Sequence, residues 1–226
     1  MEINRYLDHA VLKPDLTISE VKAAIQLGID FEVATVCVRP CDIELAKEMC
    51  KGTKTQVSCV LDFPHGVGGA AAKEAMAALY VAQGVVDIDM VMNHSYARSG
   101  EWDVVEDEIR RVVKQAHAKG VNVKVIFESG LFTISEVKKG VEVCIAAGAD
   151  YVKTSTGFSG IGATVEAVQA MLDTAKGRIK VKPSQGIRDY ETAKMYVDMG
   201  VARLGVGYTS TPVICGKKAQ QNSEQY

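Results

Sequence analysis

Short apolar runs along the chain each follow a glycine, and the segment before most of these glycines has helical spacing or helix-forming composition. Glycine is favoured just past the end of a helix because it adopts a left-handed backbone without a Cβ clash. Each of these glycines therefore predicts a junction where a helix ends and a strand follows. The junctions stand at Gly28, Gly52, Gly84, Gly120, Gly148, Gly177 and Gly200.

The helices before two of these glycines are predicted to open with the same capping box. Thr17 is followed three residues later by Glu20, and Thr133 by Glu136, a pairing that satisfies backbone donors at a helix start. A further apolar stretch at 6–12 precedes the first helix and predicts an additional strand. The chain thus predicts eight strands in alternation with about eight helices.

This alternation predicts the α/β class and a parallel sheet, because short links between helices and strands are typical of βαβ units. Several strands are β-branched and almost continuously apolar, as expected when helices cover the sheet. Eight such units in 226 residues fit a closed (β/α)8 TIM barrel better than an open doubly wound sheet. We predict a single domain over 1–226, with a short N-terminal helix and a polar, flexible tail at 216–226.

Composition and charge narrow the possible functions. The chain is 47% hydrophobic and 24% charged, with a formal net charge of −2 and a pI of about 6.1. It shows no cluster of Lys and Arg that would predict a nucleic-acid partner, and no apolar run long enough for a membrane span. The N-terminus lacks the pattern of a signal peptide, so a cytoplasmic location is expected.

Metal sites and disulfides are not predicted. Six cysteines and four histidines include no Cys-x-x-Cys and no His-x-x-x-His pair. The cysteines fall mostly within apolar segments, which favours reduced core thiols over a metal site or a disulfide framework.

The most informative chemistry lies in three strand lysines. Lys124, Lys153 and Lys182 recur 29 residues apart, one in each of three successive βα units. Lysines are rarely buried, and three in one cavity would crowd positive charge, so desolvation and repulsion would both favour the neutral amine. A neutral amine is the nucleophile that attacks a carbonyl to form an imine. The alternative is that these lysines point outward to carboxylates of the helix layer.

Two aspartates on the fourth strand could serve the same chemistry. Asp87 and Asp89 share one face by alternation, and that face could be the barrel interior. A carboxylate beside a lysine pair could relay protons during imine chemistry, or it could simply balance the charge of Lys124 or Lys182.

Two other features are interpreted as structural. The segment HGVGGAAAK at 65–73 lacks the spacing of a nucleotide-binding loop, so it predicts a turn that opens a helix. His94 has no evident metal partner and is predicted to lie at the surface.

A set of motifs runs along the chain: LDHAVLKPD (7–15), ATVCVRP (34–40), DFPHG (62–66), DIDMVMN (87–93), VKVIFESG (123–130), GADYVKTSTGF (148–158) and VKPSQGIRD (181–189). The most specific are KTSTGF and KPSQGIRD, after strands six and seven. Through these motifs the chain resembles the deoxyribose-phosphate aldolases from Leu7 to about Gly207. The fold of that family is the same eight-stranded barrel that the glycine pattern predicts.

The resemblance implies a reaction and catalytic roles. Lys153 would form the Schiff base, and Lys182 would lower the pKa of that lysine and join in proton transfer. Asp89 would be the general acid and base with an ordered water, and Tyr226 on the tail would reach the site. The reaction would be the reversible cleavage of 2-deoxy-D-ribose 5-phosphate to acetaldehyde and D-glyceraldehyde 3-phosphate, within deoxyribonucleotide catabolism. No cofactor or metal would be required, because the protonated imine is the electron sink.

The resemblance also implies binding residues and partners. The partners would be small sugar phosphates or aldehydes, and the protein would be a homodimer. The substrate would contact Cys37, Lys124, Thr154, Gly157, Gly186, Gly205 and Gly207.

The phosphate end departs from the family pattern. Gln185 stands where the family has a glycine, Tyr208 follows strand eight where small residues are usual, and Ala10 replaces a threonine. These changes leave open an aldolase that acts on an unphosphorylated or differently substituted sugar. Two further alternatives are a phosphate-binding barrel isomerase or synthase, and a non-catalytic barrel that senses a sugar phosphate.

Overall fold

The computed structural model describes residues 2–216, and these form an eight-stranded parallel barrel surrounded by helices. Each strand from β1 to β6 pairs in parallel with the next along the chain, and β1 also pairs in parallel with β8. The predicted (β/α)8 barrel is therefore confirmed. The strands are β1 Leu7–Val11, β2 Thr35–Val38, β3 Gln56–Leu61, β4 Asp87–Val91, β5 Asn122–Ile126, β6 Tyr151–Lys153, β7 Lys180–Lys182 and β8 Leu204–Gly207.

The barrel closes between β7 and β8 just beyond the end of β7. Ser184 forms an isolated parallel bridge with Gly205. The Gly205 N–H donates to the Pro183 carbonyl at 2.9 Å, and the Gln185 N–H donates to the Gly205 carbonyl at 3.3 Å. The seam of the barrel thus lies where the predicted phosphate-binding turns leave their strands.

The helices alternate with the strands, with one addition. A short helix, α4, stands between β4 and the long helix α5 and was not predicted from the sequence. A 3₁₀ helix at Ile3–Tyr6 supplies the short N-terminal helix. The α-helices are α1 Ile18–Asp30, α2 Ile43–Cys50, α3 Ala70–Ala82, α4 His94–Arg98, α5 Trp102–His117, α6 Ile134–Ala147, α7 Val165–Ala175, α8 Tyr190–Asp198 and α9 Thr211–Ile214.

Local signals explain where helices begin and end. Both predicted capping boxes are present, at Thr17 on α1 and at Thr133 on α6. Gly148 ends α6 with a left-handed backbone, as predicted. Gly28 is different, because it lies inside α1 and is buried. A Cβ there would lie 2.7 Å from Val36 Cγ1, so this glycine permits close packing of α1 on β2 rather than ending the helix.

The apolar core is the layer between the strands and the helices, where one face of each strand meets the inner face of the helices. Examples are Val36, Ile88 and Val123 on strands, and Ile25 and Ile109 on helices, all fully buried. Burial of this kind contributes about 25 cal/mol per Å² of apolar surface. The opposite faces of the strands point into the barrel and carry polar side chains.

His9, on β1, faces the helix layer and not the barrel interior. Its Nδ1 lies 2.8 Å from Thr211 Oγ1 and its Nε2 lies 2.9 Å from the Ala24 carbonyl. Burial lowers the pKa of His9 to about 4, so the ring is neutral at neutral pH. The His9 side chain therefore connects α1 and α9 to the barrel.

Within residues 2–216, no helix combines the length and apolar character needed to cross a membrane.

Candidate active site

Lys153 and Lys182 are the last residues of neighbouring strands, so their side chains meet at the carboxyl end of the barrel. The Lys153 Nζ donates to Asp89 Oδ2 at 2.7 Å, and the Lys182 Nζ donates to the same oxygen at 2.7 Å. Since β4 is adjacent to neither β6 nor β7, these contacts cross the barrel interior. The structure therefore brings together three of the four residues predicted to carry the chemistry.

Asp8, on β1, completes this cluster. Its Oδ2 accepts from the Lys182 Nζ at 2.5 Å, and its Oδ1 accepts from the Thr35 hydroxyl at 2.8 Å. The sequence assigned Asp8 no role, although it lies within the motif LDHAVLKPD at 7–15. Strand alternation could have indicated that it shares a face with Ala10, yet not that β7 lies within its reach.

Lys124, on β5, is fully buried and surrounded by carboxylates. Its Nζ lies 2.6 Å from Asp87 Oδ2, 3.1 Å from Asp8 Oδ2 and 3.2 Å from Asp89 Oδ1. The Lys124 ammonium donates a hydrogen bond to Asp87, and the carboxylates of Asp8 and Asp89 lie within ion-pair distance of it. Substrate binding by Lys124 stays a prediction, and its contacts favour a role in holding the aspartates.

The pKa values of the three lysines are shifted in different directions. Burial lowers the pKa of Lys153, and the charge of Lys182 lowers it further, against the opposing effect of Asp89. Burial also opposes the charged forms of Lys124 and Lys182, but Asp8 and Asp89 outweigh it and raise both pKa values. The expectation that crowding favours the neutral amine in all three lysines is wrong for two of them, because the sequence did not show how the carboxylates pair.

The pKa values of Asp8 and Asp89 are both lowered. Burial would raise the pKa of Asp89, but Lys124, Lys153 and Lys182 hold it well below its usual range. Lys124 and Lys182 likewise outweigh burial at Asp8 and lower the pKa of that carboxyl. Both carboxylates are therefore ionised whenever the lysines that face them carry charge.

A cavity of about 340 Å³ opens over the carboxyl ends of β6, β7, β8 and β1. The four glycines predicted to bind substrate, Gly157, Gly186, Gly205 and Gly207, all line it. The other lining residues are Ala10, Leu12, Lys13, Thr156, Phe158, Ser184, Gln185, Ile187, Arg188, Val206, Tyr208, Thr209 and Ser210.

The glycines that line the cavity are required at their positions for different structural reasons. Gly157 and Gly186 have φ values of +93° and +86°, which side chains rarely tolerate. Gly205 has no room for a side chain, because a Cβ there would collide with the Ser184 side chain and lie 3.2 Å from Lys182 Cε. This close approach places the inner wall of the cavity directly beside Lys182.

The family of the chain follows from comparison with known proteins. The sequence profile of the DeoC/LacD family aldolases matches residues 3–221. The chain belongs to this aldolase family. A deoxyribose-phosphate aldolase from Caldanaerobacter subterraneus subsp. tengcongensis is 42% identical over 206 residues, covering 91% of this chain and 89% of that protein. One from Aquifex aeolicus is 38% identical over 205 residues, covering 91% of this chain and 92% of that protein.

Solved structures agree with this assignment to the aldolase family. An aldolase designated QR15 superposes with a TM-score of 0.89 at 37% identity and covers 95% of each chain. A tetrameric deoxyribose phosphate aldolase from Aeropyrum pernix superposes with a TM-score of 0.86 at 26% identity. That superposition covers 94% of this chain and 89% of that one.

Among the residues predicted to contact the substrate, Cys37, Lys124 and Thr154 do not line the cavity. Cys37 is buried in the barrel, where burial raises the pKa of its thiol and keeps it neutral. Thr154 is buried between the ends of β6 and β7, and its hydroxyl accepts the Ser184 N–H at 3.0 Å. Tyr226 lies outside the described residues. The substrate-binding roles of Cys37 and Thr154 stay predictions.

Sequence reasoning missed several residues at the mouth of the barrel. Lys13 and Arg188 line the cavity and are exposed, so they bring two cations to it. Glu128 is buried at the end of β5 and accepts the Thr156 N–H at 3.1 Å and the Thr156 hydroxyl. The Phe158 N–H in turn donates to Thr156 Oγ1 at 3.0 Å, which shapes the turn around Gly157.

The two features interpreted as structural had different outcomes. The glycine-rich segment opens α3 at Ala70, as predicted. His94 is half-buried rather than at the surface. Its ring packs against that of Phe132, with 6.4 Å between the two ring centroids. Burial and the charge of Lys73 lower the pKa of His94 to about 4.

Proposed function

We propose that this protein is a class I aldolase that cleaves 2-deoxy-D-ribose 5-phosphate to acetaldehyde and D-glyceraldehyde 3-phosphate. The observation that carries the proposal is the Lys153 amine, whose pKa is lowered by burial while its Nζ contacts a carboxylate that also holds Lys182. A neutral amine with an ammonium group one carboxylate away has both the nucleophile and the proton source for imine formation.

The reaction begins at the carbonyl carbon of the open-chain sugar. The Lys153 amine attacks C1, the oxygen of the resulting carbinolamine takes up a proton and leaves as water, and a protonated imine remains. A base removes the proton of the C3 hydroxyl, the C2–C3 bond breaks, and its electron pair moves into the imine to form an enamine. Protonation of the enamine at C2 and hydrolysis release acetaldehyde and restore the amine.

The contacts of Asp89 suit a proton relay between two lysines better than the role of an isolated general base. Its carboxylate has a pKa well below its usual range, so it has little tendency to keep a proton. Yet its Oδ2 contacts both lysine amines at 2.7 Å, so a proton leaving the Lys182 ammonium can pass over this oxygen toward Lys153. In this proposal Lys182 is the proton reservoir, and Asp89 exchanges protons with the substrate through a water molecule.

The cavity suits the phosphate end of the substrate. Gly186 and Gly207 have open space around their Cα positions, so a phosphate oxygen can approach the backbone there. Lys13 and Arg188 add positive charge, and Thr209 and Ser210 add hydroxyl donors. Backbone N–H groups and cations of this kind form the usual anion sites of barrel enzymes.

Trapping of the imine tests the proposal directly. Incubation with acetaldehyde and cyanoborohydride is expected to add one ethyl group to the protein, located on Lys153 by peptide mass spectrometry. The reason is that a neutral amine reacts at neutral pH, whereas the ammonium groups of Lys124 and Lys182 do not. A parent protein without any adduct on Lys153 would contradict the imine mechanism.

An unphosphorylated substrate is the second candidate, and Gln185 favours it. This side chain lines the cavity at a φ of +67°, and its Oε1 is buried without a hydrogen-bond partner. Together with Tyr208, it occupies space in the cavity where the family's small residues would leave room for phosphate. The two cations of the cavity argue for phosphate instead.

Comparing kcat/KM for deoxyribose and for its 5-phosphate distinguishes the two substrates. We expect a preference of about a thousandfold for the phosphate, since two or three charge-assisted hydrogen bonds contribute about 4 kcal/mol in total. A preference below about tenfold would support the unphosphorylated sugar. A Gln185→Gly variant is the matched control, because it opens the cavity without changing its charge.

Assembly, location and the C-terminal residue belong to the same proposal. We retain the predicted homodimer, although the Aeropyrum pernix relative is described as a tetramer. A cytoplasmic location suits an enzyme of sugar-phosphate breakdown. Tyr226 is retained as a proton donor or acceptor on the grounds of the family resemblance alone.

A further inference from the structure

Arg203 enters the barrel from the end opposite the proposed site. It directly precedes β8, at the amino end of the strand, whereas Lys153 and Lys182 are the last residues of theirs. Its side chain is 22% exposed, and its Nε lies 3.3 Å from Asp8 Oδ1. Its Nη1 also donates to the Arg5 carbonyl at 3.4 Å, so the guanidinium is held at the floor of the barrel.

A continuous series of ion pairs connects this guanidinium to the reactive amine. Asp8 contacts Arg203 through Oδ1 and Lys182 through Oδ2, the latter at 2.5 Å. Lys182 contacts Asp89 at 2.7 Å, and Asp89 contacts Lys153 at 2.7 Å. All of the linking side chains between the two ends are buried, so solvent screens these interactions weakly.

The charges within this described cluster balance only when Lys153 is neutral. The carboxylates of Asp8, Asp87 and Asp89 supply three negative charges, and Lys124, Lys182 and Arg203 supply three positive charges. A proton on Lys153 would add a fourth positive charge to a buried site. Without Arg203, however, that same proton would restore neutrality.

We propose that Arg203 is a positioning residue that holds Asp8 from the opposite end of the barrel and supplies the charge that leaves Lys153 reactive. The inference rests on the proposed imine chemistry. Arg203 does not touch the substrate and acts only through Asp8, Lys182 and Asp89. The charged and titratable groups that act on Lys153 from other strands are Asp89, Lys182 and Cys37. Asp8 contacts Lys182, and Lys124 contacts Asp89, so both act on Lys153 through those residues.

The direction of the pH effect follows from the sign of the lost charge. Burial and the charge of Lys182 lower the pKa of Lys153. Its amine therefore stays unprotonated and reactive down to a lower pH than the amine of an ordinary lysine. Loss of Arg203 leaves a net negative charge that attracts a proton to Lys153 and raises its pKa. The acid limb of the reaction therefore moves to higher pH, so the rate falls at a fixed pH below the limb and is kept on the alkaline side of it.

The test measures the rate of cyanoborohydride trapping of acetaldehyde on Lys153 from about pH 5 to about pH 9. In Arg203→Gln, the midpoint of the acid limb is expected to rise by about one pH unit, which lowers the rate about tenfold below the limb. The rate at the alkaline plateau is expected to stay within about twofold of the parent. Arg203→Lys keeps the charge, so its profile is expected to follow that of the parent.

Lys180→Met is the matched control, because it removes a cation at the same end of the barrel. The Lys180 Nζ lies 5.1 Å from the Tyr151 ring centroid, and Lys180 is exposed. An unchanged profile in this control, with a shifted profile in Arg203→Gln, supports the proposal. An equal shift in both variants, or a shift in Arg203→Lys as large as in Arg203→Gln, overturns it.

The outcomes also separate this inference from the proposed function. If the parent protein forms no adduct on Lys153, the imine mechanism itself fails. If the parent forms the adduct and Arg203→Gln shows an unshifted limb, only the inference about Arg203 fails. Should Arg203→Gln not fold, Arg203→Met provides the same loss of charge, and circular dichroism at each pH confirms that the variant compared is folded.

Discussion

Replacing Lys153 with leucine is expected to lower kcat for cleavage of 2-deoxy-D-ribose 5-phosphate by at least about 10⁴-fold, because the proposed imine forms on this amine. Lys182 lies next to it, but two carboxylates keep that amine protonated, so it cannot replace the nucleophile. The measurement is single-turnover cleavage coupled to acetaldehyde detection. The same variant is expected to lose all trapping of acetaldehyde by cyanoborohydride.

The control for this loss is Lys180→Leu. It removes a lysine from the neighbouring strand, but one that is exposed and lies away from the aspartates. We expect it to keep kcat within about twofold of the parent, since exposed surface changes usually have small effects. Cleavage by Lys153→Leu at more than about a tenth of the parent rate would show that the imine does not form on this residue.

Replacing Lys73 with methionine is expected to reduce the free energy of unfolding by about 3–5 kcal/mol, because it leaves a buried carboxylate without its partner. Lys73, on α3, is fully buried. Its Nζ donates to Glu108 Oε2 at 2.9 Å, to the Val91 carbonyl at 2.8 Å and to the Gly66 carbonyl at 3.0 Å. Asp62 Oδ2 lies 3.5 Å from the same nitrogen.

The size of this effect reflects how many elements Lys73 joins. Glu108, on α5, also accepts the backbone N–H of Asn93 at 2.6 Å, just beyond the end of β4. The pair thus links α3, α5, the turn after β3 and the end of the strand that carries Asp89. Urea unfolding followed by circular dichroism measures the change, and a loss of more than about 3 kcal/mol is a large part of a typical total stability.

The double variant Lys73→Met with Glu108→Gln separates charge from packing. Glutamine can still accept the Asn93 N–H, but it carries no charge that needs a partner. We therefore expect the double variant to be more stable than Lys73→Met alone by about 1–2 kcal/mol. Additive losses in the double variant would show that the uncompensated charge is not the cause. A loss of less than about 1 kcal/mol in the single variant would contradict the prediction outright.

Lys73 also illustrates a limit of reading the sequence. It ends the segment HGVGGAAAK, which was interpreted correctly as a turn that opens a helix. Nothing in that segment indicates that its lysine would be fully buried, because Glu108 lies 35 residues further along the chain. The partner that makes burial tolerable comes from another helix, so only packing reveals it.

The strand lysines show the same limit within the site. Their spacing placed each of them on its own strand, and the family resemblance assigned Lys153 the imine. Their protonation states depended on Asp8 and Asp89, which come from β1 and β4 and reach across the barrel. A lysine that meets one shared carboxylate and a neighbouring ammonium is easier to deprotonate than one that meets several carboxylates.

The sequence by itself determined most of the helices and strands of this protein, because the signals for them are local, although it did not predict α4. Helix caps such as Thr17 and Thr133 act within one turn, and a strand's alternation is visible in its own residues. Repetition of these signals was enough to predict the barrel, and the motifs after β6 and β7 were enough to indicate the family.

Only the tertiary structure decided which charges meet inside the barrel. Closure of the sheet through β8 and β1 brings Arg203 to Asp8, and the radius of the barrel lets Asp8 reach Lys182 and Lys124. Electrostatic energy depends on distance and on exclusion of water, and neither is visible along the chain. The lowered pKa of Lys153 is therefore a property of the closed barrel rather than of the lysine and its neighbours in sequence.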